Sequence, residues 1–214
     1  VPILLLEQPR KKLGELAAFV YGNVAGNMPK LFATTGTNGK TSTSYLLEAI
    51  LKQLGETTGL TSTAERHIAG EVIVSRLTTP ESPEMQALIA RMREKGVTAV
   101  AIEVSGQALS QLRVDGLHFD VAGFTNLSHD HLDDYKDMQE YLEAKLPLFT
   151  KARAARGVVD DAVEVHERVV LLGVELDRLA VHHRGVLDRR TGARHRLHVC
   201  LPGPAVGLEL VDQV

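Results

Sequence analysis

The stretch Leu31-Phe-Ala-Thr-Thr-Gly36-Thr37-Asn38-Gly39-Lys40-Thr41-Ser42 constrains the chain more than any other, because an apolar run stops at glycines and a helical pattern follows at once. A strand, a glycine loop and a helix in that order make a phosphate cradle. Gly36 and Gly39 allow a tight turn that aims N–H groups at an anion, and Lys40 adds a cation near the outer phosphates. The Thr41 hydroxyl is suited to ligate Mg²⁺ at the helix N-terminus. The strict phosphate-loop pattern asks for glycine at position 34, where this chain has Thr34. Downstream, Tyr45, Leu46, Leu47, Ile50, Leu51 and Leu54 recur at helical spacing, and Gly55 sits where a glycine ends a helix. The alternative, an ordinary turn rich in Gly and Thr, leaves Gly-Lys-Thr after an apolar strand unexplained.

Strands alternate with helices on either side of this loop, which predicts an α/β fold with a doubly wound, mostly parallel sheet up to about residue 160. Val1–Leu6 reads as strand or linker, Leu13–Tyr21 as an amphipathic helix, Thr57–Thr61 as a second strand, and Ile68–Ser75 as a hairpin around Gly70. Ser82 reads as the N-cap of a helix with Pro83 at its first position and Gly96 as terminator. Val97–Ile102 is a nearly continuous apolar run, as in a strand buried on both faces, and it delivers Glu103 at its C-terminal end. Phe119–Phe124 does the same for Asn126–His131. Ligands of open parallel sheets bind at those ends. From Val169 the text changes to short alternating runs, Val169–Val174, Leu179–His182 and His195–Leu201, which predict a small antiparallel portion. Residues 1–30 are expected to be linker and entry helix, 31–160 the nucleotide-binding domain and 161–214 its antiparallel tail.

Composition narrows the function classes. The formal charge is −3, so no broad electrostatic case exists for nucleic acid or an anionic membrane. One cysteine, Cys200, excludes an internal disulfide framework and a multi-cysteine zinc site, and a cytoplasmic location is expected. No apolar stretch reaches the length of a membrane span. The start lacks an initiator Met and a basic region, so it reads as the interior of a longer chain.

Three elements at strand or helix ends carry candidate chemistry. Glu103 closes an apolar strand, which suits a metal ligand or a water-orienting carboxylate, and equally a side chain emerging into solvent. His129-Asp130-His131-Leu132-Asp133-Asp134 is dense in ligand atoms, as exposed caps also are; without a full zinc set, a hard cation beside phosphate is the better fit. Lys145 lies near the end of a helix from Met138 that Pro147 should stop, and spacing alone would let it snorkel to solvent.

Taken together, these residues resemble the Mur ligases, the ATP-dependent amide-forming enzymes of peptidoglycan synthesis, and are most similar to the MurE type. The resemblance runs from about Val1 to Val159. It rests on Gly36–Ser42, Thr78-Thr-Pro-Glu-Ser82, Glu103-Val-Ser105, Gln111-Leu-Arg113-Val-Asp-Gly116, Phe124–Ser128, Asp130-His-Leu-Asp133 and Tyr141-Leu-Glu-Ala-Lys145. The family's loop also lacks the glycine missing at Thr34. The resemblance implies a central ATPase domain whose loop Gly36, Thr37, Asn38, Gly39, Lys40, Thr41 and Ser42 holds ATP. It implies that Thr41, Glu103 and His131 serve Mg²⁺, that Lys145 becomes carbamylated as a further metal ligand, and that Lys40, Glu103, His131 and Lys145 carry catalysis. Thr78, Thr79, Ser105, Gln111 and Arg113 match contacts to the UDP-muramoyl peptide. The implied partners are UDP-N-acetylmuramoyl-L-alanyl-D-glutamate and an amino acid, joined through an acyl phosphate, with no nucleic acid, no membrane and a monomeric state. Ser105-Gly106-Gln107, Asp133-Asp134-Tyr135 and the tail Leu201-Pro-Gly-Pro-Ala205 depart from the common family text. Two other readings compete: a non-catalytic nucleotide-binding remnant, and a relative of folylpolyglutamate synthetase.

Overall fold

In the computed structural model, Ile3 and residues 5–128 and 135–159 are described. Helix α1 (Pro9–Val20) leads into β1 (Lys30–Thr35), the phosphate loop and α2 (Lys40–Gln53). Then follow β2 (Thr58–Thr61), β3 (Glu65–Ile68), β4 (Glu71–Val74), α3 (Ser82–Glu94), β5 (Ala99–Glu103), the short α4 (Gly106–Ser110), β6 (Phe119–Phe124), α5 (Met138–Lys145), a 3₁₀ turn (Leu146–Phe149) and β7 (Ala154–Val159). The strands form one sheet in the order β4-β3-β2-β5-β1-β6-β7. The five from β2 to β7 pair in parallel, while β3 and β4 add an antiparallel edge. This is the doubly wound, mostly parallel α/β sheet that the alternation of elements predicts.

Chain order and sheet order together place the helices. The path from β1 to β2 runs one way across the sheet and the path from β2 back to β5 runs the other, so right-handed crossovers put α2 and α3 on opposite faces. Every position of β5 is accordingly buried. Met85, Ile89 and Met92 of α3 pack into the core with Leu31, Val100 and Ile102. A Cβ at Gly59 would lie 2.7 Å from the Met92 sulfur, so the helix and β2 touch closely.

The local departures from the sequence reading each have a cause. α1 begins at Pro9 rather than Leu13, since a proline is tolerated in a first turn that needs no N–H. The first arm of the hairpin starts at Glu65, because pairing of Arg66 with Thr61 extends it, and the turn at Ala69–Gly70 has φ values of 51° and 92°. The cap of α3 is Glu81 and not Ser82: the first helical bond runs from Met85 N–H to the Glu81 carbonyl at 2.8 Å. Neither α4 nor β7 is foreseen. Ile3, Leu5 and Leu6 lie outside regular secondary structure, as the linker alternative has them; Val1, Pro2 and Leu4 lie outside the described residues. The predicted antiparallel tail lies outside the described residues.

Helix α2 turns a polar side to the sheet. Ser44, Glu48 and Leu51 are its buried residues, whereas Leu46 and Leu54 are exposed. The Glu48 carboxylate receives the Thr58 hydroxyl at 3.1 Å, pairs with Lys52 at 2.9 Å and lies 2.8 Å from His67 Nδ1. Burial pushes this carboxyl up, but the Lys52 and His67 contacts together outweigh burial and hold it below its ordinary value.

Candidate active site

Register brings the site together. Thr34 of β1 pairs with Glu103 of β5, and Thr35 with Phe124 of β6, so the phosphate loop, Glu103 and the segment after β6 leave the same sheet edge. The loop is laced to that segment. Thr37 N–H donates to the Asn126 carbonyl at 2.8 Å and Asn38 N–H to Asn126 Oδ1 at 3.0 Å, while the Thr125 hydroxyl donates to the Asn38 carbonyl at 2.7 Å. Gly36 (φ +139°) allows this closeness: a Cβ there would sit 2.1 Å from Thr125 Oγ1. Gly39 (φ +81°) is the N-cap of α2 and gives it no side-chain cap. The first-turn N–H groups of α2 therefore border a cleft of about 530 Å³ lined by Thr37 to Ser42, Glu103 and Lys145. Uncapped helix donors with a lysine beside them suit an anion. Lys40 bends over the loop and donates to the Thr37 carbonyl at 2.7 Å.

Glu103 is 2% exposed, so of its two sequence-level readings the solvent-facing one is excluded. Thr41 Oγ lies 3.1 Å from both carboxylate oxygens, Thr63 N–H donates to Oε2 at 2.9 Å, and the Thr63 hydroxyl donates to Oε1 at 3.2 Å. None of these donors carries charge. Among the described residues its partners are neutral; a buried carboxylate so placed asks for a cation, and hydroxyl and carboxylate oxygens are the donor set for a hard one. The Thr41 proton is directed at Glu103, which leaves the hydroxyl's lone pairs available to a metal.

The segment Thr78–Ser82 closes another wall. Thr78, Ser105 and Arg113 line the cleft. Thr79 is fully buried, and its hydroxyl donates to the Glu103 carbonyl at 2.9 Å while accepting from Ser105 N–H at 3.2 Å. Arg113 Nε lies 2.9 Å from Glu81, and Nη2 donates to Gln111 Oε1 at 2.7 Å. Gln111 thus stands behind Arg113. Leu112 between them adopts φ 59°, a strained value for leucine.

Lys145 is 2% exposed, and its Nζ lies 4.0 Å from the centroid of the Tyr141 ring. The snorkelling expectation from spacing is overturned: α5 turns this residue toward α4 and the cleft, and a ring face stabilises the ammonium there. His131 and the other members of the His129–Asp134 run lie outside the described residues. Sequence reasoning missed Thr63, and it gave no role to Glu81, Tyr135 and Tyr141, although the family blocks contain Glu81 and Tyr141. For Thr63 a signal existed, since it is a polar residue just past the C-terminal end of a parallel strand.

The model of the Mur ligase middle domain matches residues 34–169. The chain belongs to the Mur ligase family. Among curated relatives, it is 59% identical over 170 residues to a UDP-N-acetylmuramyl-tripeptide synthetase of Leifsonia xyli, covering 79% of this chain and 33% of that one. It is 46% identical over 170 residues to a UDP-N-acetylmuramoyl-L-alanyl-D-glutamate–2,6-diaminopimelate ligase of Streptomyces avermitilis, with the same coverage of 79% and 33%. The chain thus spans about a third of the length of these relatives. A solved diaminopimelate-adding ligase shares the fold at a TM-score of 0.70 and 24% identity, covering 79% of this chain and 34% of the other. Escherichia coli FolC shares the fold at 0.59 and 21% identity, covering 82% and 47%. The likeness to FolC shows the fold alone, whereas the Mur assignment rests on sequence.

Proposed function

We propose that this domain holds ATP and a divalent cation for a ligase of peptidoglycan synthesis that joins an amino acid to UDP-N-acetylmuramoyl-L-alanyl-D-glutamate. The observation that carries the reading is one cleft holding both an uncapped helix N-terminus with Lys40 and a buried, cation-seeking Glu103 beside Thr41. Relatives named for muramyl-tripeptide synthesis support the substrate class.

In this reading the N–H groups of Gly39 to Ser42 and the Lys40 ammonium hold the phosphates. Thr41 and Glu103 hold Mg²⁺, with His131 and a carbamylated Lys145 assigned by family resemblance. The cation supplies charge neutralisation on the transferred phosphoryl group. Thr78, Ser105 and Arg113 face the muramoyl peptide and bring its terminal carboxylate to the phosphates. Thr79 and Gln111 act behind them, by fixing Ser105 and Arg113. Phosphoryl transfer to that carboxylate gives ADP and an acyl phosphate, and attack by the amine forms the amide and releases phosphate. Lys145 as an ammonium fits the Tyr141 face, whereas an anionic carbamate would leave that face for the cation. A cytoplasmic monomer suits the reading, and no described helix is long and apolar enough to cross a membrane.

The test is titration of a fluorescent ATP analogue with Mg²⁺ against wild type and Lys40→Ala. Loss of a charge-assisted contact to phosphate should weaken binding by about 1.5–3 kcal/mol, roughly 10- to 150-fold. Equal affinity would overturn the assignment.

A further inference from the structure

Thr63 is absent from every motif that pointed to the site, yet it makes two of the contacts that fix Glu103. We infer that Thr63 is a positioning residue, which orients the Glu103 carboxylate to share a divalent cation with Thr41 and ties that carboxylate to Thr78. The inference rests on the proposed metal role of Glu103 and Thr41.

β2 ends at Thr61, whose register partner is Ile102, so the chain beyond β2 runs beside Glu103 at the end of β5. There the Thr63 backbone N–H meets Oε2 and its hydroxyl meets Oε1, one donor for each oxygen. Two donors from one residue oppose rotation of the carboxylate about its own axis, which a single donor would leave free. The third partner, Thr41, lies equally far from both oxygens and cannot by itself select between orientations.

The hydroxyls also have a direction. An ionised carboxylate only accepts, so the Thr63 proton points to Glu103. Thr63 Oγ then accepts from Thr78 Oγ, 2.9 Å away, and the Thr78 proton is committed as well. The metal-side carboxylate and a residue facing the muramoyl peptide are thereby joined through one hydroxyl. Thr63 itself is exposed on the cleft wall, so removing its hydroxyl opens no cavity in the core.

The test uses Mn²⁺ as probe, with its binding read by electron paramagnetic resonance in the presence of a non-hydrolysable ATP analogue. Wild type, Thr63→Val, Thr63→Ser and Glu103→Gln are compared, with thermal melts for each. Thr63→Val keeps the volume and the backbone N–H but loses the hydroxyl, and it should weaken Mn²⁺ binding about 3- to 10-fold, less than the full worth of one hydrogen bond to a charged group because the backbone N–H still holds the carboxylate. Thr63→Ser should stay within about twofold of wild type, the melts of both variants should match it, and metal-free nucleotide affinity should not change. Wild-type Mn²⁺ binding by Thr63→Val, with Glu103→Gln impaired, would overturn the positioning role alone. Equal weakening by Ser and Val would assign the effect to something other than the hydroxyl and overturn it too. Unchanged binding by Glu103→Gln would instead overturn the metal site on which the inference rests.

Discussion

Two glycines of the phosphate loop look alike in sequence and do different work. At Gly36 an added methyl meets Thr125 Oγ1 at 2.1 Å with φ at +139°, whereas at Gly39 (φ +81°) nothing lies within 4 Å. Gly39→Ala should therefore cost about 1–2 kcal/mol, the price of a left-handed alanine. Gly36→Ala should cost more, because it also separates the loop from Asn126, and urea denaturation of both variants checks the order. Lys145 carries a second residue-scale prediction. Its burial requires a compensating role, and if that role is metal ligation through a carbamate, Lys145→Ala should abolish most ligase activity in an enzyme of full family length. Short carboxylates such as formate should restore part of it by occupying the vacated ligand position. An unimpaired variant would return Lys145 to a packing role against Tyr141.

At the scale of elements, α2 is anchored to the sheet by charge as well as by apolar contact. Glu48 lies below its ordinary value of 4.5, so its contribution to stability is complete above about pH 4.5 and is lost as pH falls through the lower folded value. Glu48→Gln should cost about 1–3 kcal/mol at pH 7, because it leaves the buried donors around it imperfectly paired. The gap between wild type and variant in urea midpoints should shrink as the pH is taken from 5 toward 3. A gap independent of pH would mean that packing, not charge, holds Glu48. On the opposite face, Ile89 of α3 is fully buried in the core. Ile89→Ala should cost about 2–5 kcal/mol in the same measurement, which sets the charge effect against the cost of a core cavity.

At the scale of the whole molecule, the matched stretch is 33% of the length of these relatives, and the groups proposed for phosphate, cation and peptide line the described cleft, with no assigned site there for the incoming amine. The chain of residues 1–214 should thus bind nucleotide yet form no muramoyl tripeptide from ATP, UDP-muramoyl dipeptide and lysine, ornithine or diaminopimelate, as read by mass spectrometry. Product at ordinary turnover would refute this. The central fold was legible because its signals are local: an apolar run ending in Gly36–Ser42, helical spacing after it, and the two-face apolar strand before Glu103 each follow from neighbouring residues. The short elements α4 and β7 were not, since a helix of five residues carries too little periodicity to register and β7 breaks its apolar text with Arg156 and Gly157. The same limit held within the site. By itself the sequence determined the phosphate loop, the lysine and hydroxyl at its helix, and the carboxylate at a strand end, because dihedral preference and burial pattern are set within a few residues. Only the tertiary structure decided that Thr63 holds Glu103, that Thr79 and Gln111 stand behind the cleft wall, and that Lys145 turns inward. Those outcomes depend on strand register and on which way a helix faces, and both are fixed by contacts between residues far apart in the chain.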